Sequence, residues 1–253
     1  LLRKPFEDGD LCFGRHPVLD LLRADPKRCL KLYLARSAEE SFRRRILAMA
    51  KSSGIPVQQV EMSFLDRLAP LSVHQGVVAR VAPVALLDFW KFVEGIPPLP
   101  EPVLVVLLDH VKDPQNLGAI VRTAEACCAA GLLLPKRRAA LPTGSVVKAS
   151  AGAVFRIPIV SIVNVTRAID DLRELGFFSV GLDTVGEKSL FVGPLPERLL
   201  LVIGEESGLS RLAKEHCDEI RRIPMRGKGE SLNASVAASI GMYEWFRARE
   251  STS

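Results

Sequence analysis

The stretch Ile223-Pro224-Met225-Arg226-Gly227-Lys228-Gly229-Glu230-Ser231-Leu232-Asn233-Ala234-Ser235 joins a predicted strand to a predicted helix. The strand covers residues 219–223 and ends at Pro224. A loop with two glycines follows, and the helix begins near Asn233. Ser231 or Asn233 can cap this helix, whose first N–H groups lack partners within it. Alone, the pattern also fits an ordinary strand, turn and capped helix. The apolar face of the predicted helix contains Val236, Ile240 and Tyr243.

Two more loops of glycines and polar residues follow predicted strands. Residues 109–123 come after the apolar run 103–108, and residues 204–210 come after the apolar run 199–203. In α/β proteins with parallel sheets, ligands bind at the edge where such loops meet. The sequence therefore predicts that these three loops converge on one site.

The composition indicates a globular protein with a basic surface. The chain has 253 residues, of which 48% are hydrophobic, and a formal net charge of +5 at pH 7. This length allows one large domain or two modest ones. Positive charge favours a polyanionic partner such as nucleic acid. The basic clusters, each of which could equally be a solvated surface, lie at residues 43–45, 136–138, 221–222 and 226–228.

Other features argue against a membrane or metal-binding protein. No apolar run reaches the ~18 residues of a membrane span, and residues 1–10 lack a signal-peptide pattern. The five cysteines show no C-x-x-C spacing, which predicts reduced and buried thiols. The four histidines lack metal-ligand spacing. We therefore expect a cytoplasmic protein with neither a membrane nor a metal partner.

The order of predicted elements indicates an α/β protein with two domains. Residues 1–82 alternate short helices and strands and form a small N-terminal α/β domain. Residues 83–102 contain a short helix at 86–93 and then four prolines within residues 97–102, which predict a Pro-rich linker. Residues 103–253 alternate strands and helices, as expected for a mostly parallel sheet with helices on both faces.

The loops lack the usual nucleotide-binding motifs. There is no G-x-G-x-x-G after a strand and no G-x-x-x-x-G-K-[ST], which argues against a Rossmann dehydrogenase or a P-loop enzyme. In the first loop, Asp113-Pro114 predicts the start of a helix that extends to residue 130. Asn116, Ala119 and Arg122 then share a helix face. An Asn and an Arg so placed could hold a phosphate or a ribose hydroxyl. The alternative is an arginine that only faces solvent.

Together the three loops resemble the motifs of the SpoU family of RNA ribose 2′-O-methyltransferases, within the knotted SPOUT superfamily. The second motif, a glycine–glutamate loop at a strand end, corresponds to residues 201–209. The first motif, N-x-G-x-x-x-R-T-A, is present as Asn116, Gly118, Arg122, Thr123 and Ala124. The third motif, I-P-M…S-L-N-x-S, is present as Ile223-Pro224-Met225 with Ser231-Leu232-Asn233-Ala234-Ser235.

The N-terminal region shows a related resemblance. Gly14-Arg15-His16-Pro17-Val18 and Val73-His74-Gln75-Gly76-Val77-Val78-Ala79 are similar to the substrate-binding domain of one SpoU subgroup. That subgroup methylates a guanosine ribose in large-subunit (23S) ribosomal RNA. The resemblance covers nearly the whole chain and implies an RNA-binding domain at 1–82 before a trefoil-knotted methyltransferase domain at 103–253.

One motif departs from the family pattern. The family's second loop usually reads G-x-E-x-x-G, but the loop from Gly204 to Gly208 is one residue shorter. Glu206 keeps the offset from Gly204 and is matched to the family glutamate, although Glu205 could take its place. The third loop also carries charged residues where relatives often have small ones.

The resemblance implies that S-adenosylmethionine donates a methyl group to a ribose hydroxyl, a poor nucleophile until its proton is removed or shared. In the family the arginine of the first motif, here Arg122, takes this proton. Because a guanidinium normally stays protonated, Arg122 could instead stabilise the developing alkoxide. The residues implied to position Arg122 and the ribose are Asn116, Glu206, Ser231 and Asn233.

The resemblance also implies two binding surfaces and a homodimer to which the last helix contributes. The residues expected to contact the cofactor are Leu182, Gly204, Ile223, Met225 and Leu232. The residues expected to contact RNA phosphates are Arg15, Arg137, Arg138, Arg226 and Lys228. Ribosomal RNA is the expected partner.

Three alternatives remain open at this point. The target could be transfer RNA or an adenosine. The protein could instead be a non-catalytic RNA-binding factor in ribosome assembly, which the shortened second loop favours. A methyltransferase for small molecules or proteins is disfavoured by the basic clusters and by the accessory domain.

Overall fold

A computed structural model describes residues 11–70, 72–137, 139–227 and 229–250. The chain divides into two compact units. One contains the residues up to Val84 together with Leu141–Arg156, and the other contains Ala85–Ala140 and the residues from Ile157 onward. Within the described ranges, no helix is both long and apolar enough to cross a membrane.

The region before residue 82 forms a four-stranded sheet with three helices. Its strand order is β1-β4-β2-β3, in which β2 and β3 are parallel and the other pairs are antiparallel. The elements are β1 (Leu11–Phe13), α1 (Arg15–Ala24), β2 (Cys29–Ala35), α2 (Glu40–Ser52), β3 (Val57–Val60), α3 (Met62–Leu68) and β4 (Val77–Val81). Helix α2 buries Phe42, Ile46 and Ala50, which recur every four residues, and it keeps its arginines on the outer side.

The rest of the chain alternates strands and helices, as predicted. Its first elements are β5 (Leu87–Asp88), α4 (Phe89–Glu94), β6 (Val103–Leu108), α5 (Pro114–Ala126), β7 (Gly131–Pro135), α6 (Gly144–Ala149) and β8 (Ile159–Ile162). They are followed by α7 (Val165–Glu174), β9 (Phe178–Leu182), β10 (Lys188–Ser189), β11 (Arg198–Ile203), α8 (Arg211–His216), β12 (Glu219–Arg222) and α9 (Ala234–Glu250).

The large sheet has eight strands in the order β10-β12-β9-β11-β6-β7-β8-β5. Every neighbouring pair is parallel, which confirms the predicted α/β class with a mostly parallel sheet. All residues of β6 and β11 are buried, as expected for central strands covered on both faces. Because β9, β11 and β6 are adjacent and parallel, the loops that follow them begin side by side.

Two segments differ from the sequence-based expectation. The predicted linker contains β5, and its helix begins at Phe89 rather than at residue 86, because the Asp88 carboxylate caps it by accepting from the amide of Trp90 at 3.0 Å. Phe89 and Phe92 are buried in the core of the second unit. Helix α6, although it follows β7 in the chain, belongs to the first compact unit.

The cysteines are partly as expected. Helix α5 ends at Ala126 instead of residue 130, because Cys128 adopts a positive φ of 52° just beyond it. Cys127 is buried, and this burial raises the pKa of its thiol to about 11. Cys128 is exposed, so the prediction of buried thiols is wrong for this residue.

The packing of α4 against β7 gives a test of the fold. A Cβ at Gly131 would lie 2.7 Å from Cε2 of Phe92 and 3.1 Å from the carbonyl oxygen of Pro158. We expect Gly131→Ala to lower the free energy of unfolding by about 1–3 kcal/mol, since the packed strand leaves no room for a methyl group. The measurement is urea unfolding.

Gly95→Ala is the matched control, because the nearest atom to its new Cβ would be the carbonyl oxygen of Phe92 at an ordinary 3.5 Å. Phe92→Leu in the Gly131→Ala background should recover part of the loss by removing the ring that clashes. Equal stability of Gly131→Ala and Gly95→Ala would contradict this packing.

Candidate functional site

A cavity of about 290 Å³ opens where the loops after β9, β11 and β12 meet the start of α9. This volume is near the lower end of the range for small-molecule sites. The cavity is lined by all five residues predicted to bind a cofactor: Leu182, Gly204, Ile223, Met225 and Leu232. Ser231 also lines it, with Ala234 and Ala237 of α9. The predicted convergence of the second and third loops is therefore present within one subunit.

The loop after β11 forms a tight turn that only glycine permits. A Cβ at Gly204 would lie 2.3 Å from the carbonyl oxygen of Gly208, so the two ends of the turn are in direct contact. Gly208 has a φ of +87°, which side chains disfavour. A Cβ there would lie 2.4 Å from Oδ2 of Asp183. The backbone of this glycine loop (residues 204–210) thus forms one wall of the cavity.

Two buried carboxylates hold the glycine loop from either side. Asp183 follows β9, and its Oδ2 accepts from the amide of Leu209 at 2.9 Å. Asp109 follows β6, and its Oδ2 accepts from the amide of Ser210 at 2.7 Å. Because β9 and β6 flank β11 in the sheet, successive amides of the loop are bound to opposite neighbours.

Asp183 carries its charge next to a cation. Lys214 of α8 lies with its Nζ 2.8 Å from Asp183 Oδ2. Burial by itself would raise the pKa of Asp183, but the bond from Lys214 and those from the amides of Leu209 and Val185 outweigh it and hold the pKa below its usual value. The sequence analysis did not single out Asp183, Asp109 or Lys214. The available signal was that each acid is the first polar residue after an apolar strand.

The two glutamates of the glycine loop have different partners. Glu205 binds Lys112, accepting from its amide at 3.1 Å and from its Nζ at 3.3 Å. Glu206 accepts from the Nδ2 of Asn233 at 3.3 Å, which joins the second motif to the third. This geometry favours Glu206 as the counterpart of the family glutamate.

Asn233 also begins the last helix. Its Oδ1 accepts from the amide of Ser235 at 2.9 Å and from the Ser235 hydroxyl at 2.6 Å. The same side chain therefore caps α9 with its oxygen and binds Glu206 with its nitrogen. Of the two caps that the sequence allowed, Asn233 is the one in place.

A second cavity of about 370 Å³ adjoins the first and shares its residues Glu205, Glu206 and Ser207. Its other side is formed by the segment before α5, including Lys112, and by Asn116 of α5. All but one of its lining residues are polar or charged, whereas the first cavity has a mixed lining of polar and apolar residues. The two cavities together can hold an elongated cofactor and a polar acceptor side by side.

Arg122 does not line either cavity of its own subunit. It is exposed on α5, six residues and about 9 Å along the helix axis from Asn116. In the described part of the chain, it has no ion-pair or hydrogen-bond partner. Its neighbour Thr123 binds Ser239 of α9 through the two hydroxyl oxygens at 2.9 Å.

The residues predicted to bind RNA lie in different environments. Arg15 is only partly exposed, because its guanidinium pairs with Glu39 at 2.8 Å and stacks on the Phe42 ring at 4.7 Å. Arg137 and Arg226 are exposed, and Arg226 directly follows Met225 of the cavity. Arg138 and Lys228 lie outside the described residues. No group of three or more potential metal ligands occurs among the residues that were placed.

Comparisons with known proteins identify the family of the chain. The sequence model of the SpoU rRNA Methylase family matches residues 103–243. The model of the RNA 2′-O ribose methyltransferase substrate-binding domain matches residues 11–87. Together the two matches account for most of the chain.

Individual relatives cover nearly the whole chain. It is 38% identical over 246 residues to the Bacillus subtilis protein YacO, whose name describes a TrmH family tRNA/rRNA methyltransferase, with 96% of this chain and 97% of that protein covered. It is also 38% identical to a Synechocystis protein named as a tRNA/rRNA methyltransferase; 95% of this chain is covered, but the chain spans only 63% of that protein.

A solved structure shows the same likeness. The SpoU methyltransferase AviRb from Streptomyces viridochromogenes, in complex with the cofactor AdoMet, has a TM-score of 0.78 at 29% sequence identity. The match covers 96% of this chain and 92% of AviRb.

The cap of α9 gives a test of the site's construction. We expect Asn233→Ala to lower the free energy of unfolding by about 0.5–2 kcal/mol, because the amide of Ser235 loses its acceptor. Asn233→Ser keeps an oxygen at the cap and should stay closer to the wild type. Unfolding in urea measures both variants, and an Asn233→Ala protein as stable as the wild type would rule out this cap.

Proposed function

Because the chain belongs to the SpoU family of S-adenosylmethionine-dependent RNA methyltransferases, we propose that it methylates the ribose 2′-hydroxyl of a guanosine in large-subunit ribosomal RNA. The observation that carries the proposal is the convergence of the second and third family motifs on one cavity. We propose that it acts as a homodimer in the cytoplasm, where ribosomal RNA is assembled into subunits. Residues 103–253 would transfer the methyl group, residues 1–82 would bind the RNA, and residues 83–102 would link them.

The proposed site would lie in the family's knot. The knotted α/β fold is shared with the SpoU structures, and it is an exception to the rule that chains do not thread their own loops. The second and third motif loops, which would bind the cofactor, would also form part of the knot. The cavity is therefore built from segments that are fixed by topology and by hydrogen bonds.

The residues of the first cavity fit S-adenosylmethionine. Leu182, Ile223 and Leu232 offer apolar side chains for the flat faces of an adenine. The close contact between Gly204 and Gly208 brings backbone groups to the cavity wall, where they can bind the polar edge of the base. When bound, S-adenosylmethionine supplies a methyl group made electrophilic by its sulfonium. The cavity walls would orient that methyl toward the acceptor.

The second cavity fits the acceptor. Asn116 offers an amide and Glu206 a carboxylate, and both suit the hydroxyls of a ribose. Glu206 lines both cavities, so it lies at the boundary where methyl transfer would take place. The bond from Asn233 holds the Glu206 side chain in that position.

Arg122 would act across a subunit interface. Its helix α5 packs on α9, and α9 exposes Val236 and Tyr243, which are 46% and 51% accessible. These are two of the three residues on the predicted apolar face. If a second subunit covers this face, Arg122 enters the interface instead of facing solvent. The homodimer proposal thus also explains why Arg122 is absent from the cavities of its own subunit.

The role proposed for Arg122 follows from the hydrogen-bonding chemistry of a guanidinium. A guanidinium is a poor proton acceptor but a strong donor to oxygen anions. Arg122 would stabilise the alkoxide that forms on the ribose, or pass the proton on with the help of an RNA phosphate. Both roles require the arginine to reach the ribose hydroxyl.

The substrate proposal rests on the N-terminal unit and on charge. The substrate-binding domain model matches residues 11–87, and exposed basic residues lie there and near the cavity. Phosphate binding by such residues makes RNA affinity sensitive to salt. Transfer RNA is the second candidate substrate, because the names of both relatives include it.

The proposed function is tested by methyl transfer from labelled S-adenosylmethionine to unmodified ribosomal and transfer RNA. We expect label at one guanosine ribose of large-subunit ribosomal RNA, located by its resistance to alkaline cleavage. Arg122→Ala should lower turnover by roughly 10²- to 10⁴-fold while the affinity for S-adenosylmethionine is unchanged.

Arg167→Ala is the matched control, because Arg167 is an exposed helix arginine on α7 away from both cavities. Near-normal turnover of Arg122→Ala would remove this residue from the mechanism. Label found only in transfer RNA would reassign the substrate, and no transfer to any RNA would refute the proposed activity.

The homodimer is tested by placing a charge on α9. We expect Tyr243→Glu to convert a dimer into a monomer in light scattering, since a buried unpaired carboxylate costs several kcal/mol. Phe191→Glu should remain dimeric, because Phe191 is equally exposed, at 52%, but belongs to the segment between β10 and β11 and not to the proposed α9 interface. A monomeric wild type, or a Tyr243→Glu protein that stays dimeric, would contradict the proposed interface.

A further inference from the structure

The glycine loop is held by two carboxylates whose position suggests a role in cofactor binding. We infer that Asp183, assisted by Asp109, is a positioning residue that fixes the glycine loop in the shape that binds S-adenosylmethionine. The inference rests on the proposed function, because it concerns the affinity of the same cavity. Neither residue belongs to the three motifs.

Asp183 is built into the cavity wall. Its side chain is only 3% exposed, and the residue lines the cavity together with the glycine loop. One oxygen, Oδ2, accepts from the amide of Leu209, and the other, Oδ1, accepts from the amide of Val185 at 3.2 Å. The carboxylate therefore binds the loop after β11 to the loop after β9, and the cavity lies between these loops.

Contact with Gly208 makes the arrangement specific for a side chain of this length with an acceptor oxygen at its end. A Cβ at Gly208 would lie 2.4 Å from Asp183 Oδ2, so the Asp183 side chain packs directly on the backbone of the turn. A shorter side chain at position 183 would leave a gap beneath Gly208 and leave the amide of Leu209 without its acceptor. An unpartnered buried amide is costly, so the loop would move to satisfy it.

The charge of Asp183 is already balanced by protein. Lys214 contacts the same Oδ2 at 2.8 Å. A carboxylate so neutralised offers little net attraction to the sulfonium of the cofactor. Positioning by hydrogen bonds, rather than attraction between charges, is thus the role that fits the geometry.

Asp109 holds the opposite side of the same loop. It is fully buried, and besides binding the amide of Ser210 it contacts Nδ1 of His110. Asp109 does not line the cavity, so it acts only through the loop. With both carboxylates in place, the turn from Gly204 to Gly208 is fixed at its C-terminal end by two successive amides.

Loss of this support should weaken cofactor binding more than RNA binding. We expect Asp183→Ala to raise the dissociation constant for S-adenosylmethionine roughly 10- to 100-fold, as expected for losing hydrogen bonds to a charged group. The KM for RNA should change less than about threefold, because RNA is bound mainly by other residues. Calorimetry measures the cofactor affinity, and steady-state methyl transfer measures both KM values and kcat.

A double variant separates position from charge. Asp183→Asn with Lys214→Met removes both charges and keeps a side-chain oxygen for the amide of Leu209, while the Asn nitrogen gives up only the longer bond from the amide of Val185. We expect this protein to bind S-adenosylmethionine within about fivefold of the wild type. If it binds as weakly as Asp183→Ala, attraction between charges is the important contribution and the positioning role is overturned.

Asp170→Asn is the matched control. Asp170 is also a carboxylate paired with a cation, Arg173, and it contacts His216, but it lines neither cavity. It should leave cofactor affinity unchanged. Thermal unfolding checks that each variant is folded, and if Asp183→Ala is not, Asp183→Leu, which is of similar size and has no acceptor, takes its place. A folded protein that has no acceptor oxygen at position 183 and still binds S-adenosylmethionine like the wild type overturns the inference. A wild type that does not bind the cofactor refutes the proposed function instead.

Discussion

The parallel pairing of β9, β11 and β6 is the constraint on which the site depends. Their hydrogen bonds align Leu182, Ile203 and Leu108 at one edge of the sheet. Each strand is followed at once by residues of the site, so pairing alone brings segments from distant parts of the chain together. The register leaves little freedom, because these strands are packed on both faces and a shift by one residue would move every side chain to the opposite face, where it does not fit its neighbours.

Side chains at the strand ends then fix the loops that the sheet has gathered. Asp183 and Asp109 hold the glycine loop, and Asn233 joins Glu206 to the start of α9. Each of these bonds links one loop to another rather than stabilising a single loop. A cavity formed in this way is preorganised, which lowers the entropy that binding must overcome. The predicted cofactor residues therefore line one cavity.

The two compact units carry the features on which the proposed division of labour rests. The unit with the large sheet contains both cavities, whereas the first unit carries the arginines of α2 and the match to the substrate-binding domain. The position of Arg122 bears on the proposed oligomeric state. It is exposed on α5, which packs on α9, and in the proposed homodimer the second subunit would cover it.

The sequence by itself determined most of the elements, the parallel sheet and five of the residues that line the first cavity. Hydrophobic periodicity and sequence motifs are local properties that can be recognised without tertiary contacts. It did not separate Glu205 from Glu206, find Asp183 or Asp109, or place α6 with the first unit. Asp183 and Asp109 accept from the amides of Leu209 and Ser210, which lie 26 and 101 residues away along the chain. A carboxylate acquires such a partner only when the sheet has set its neighbours, and tertiary structure alone decides which amide it meets.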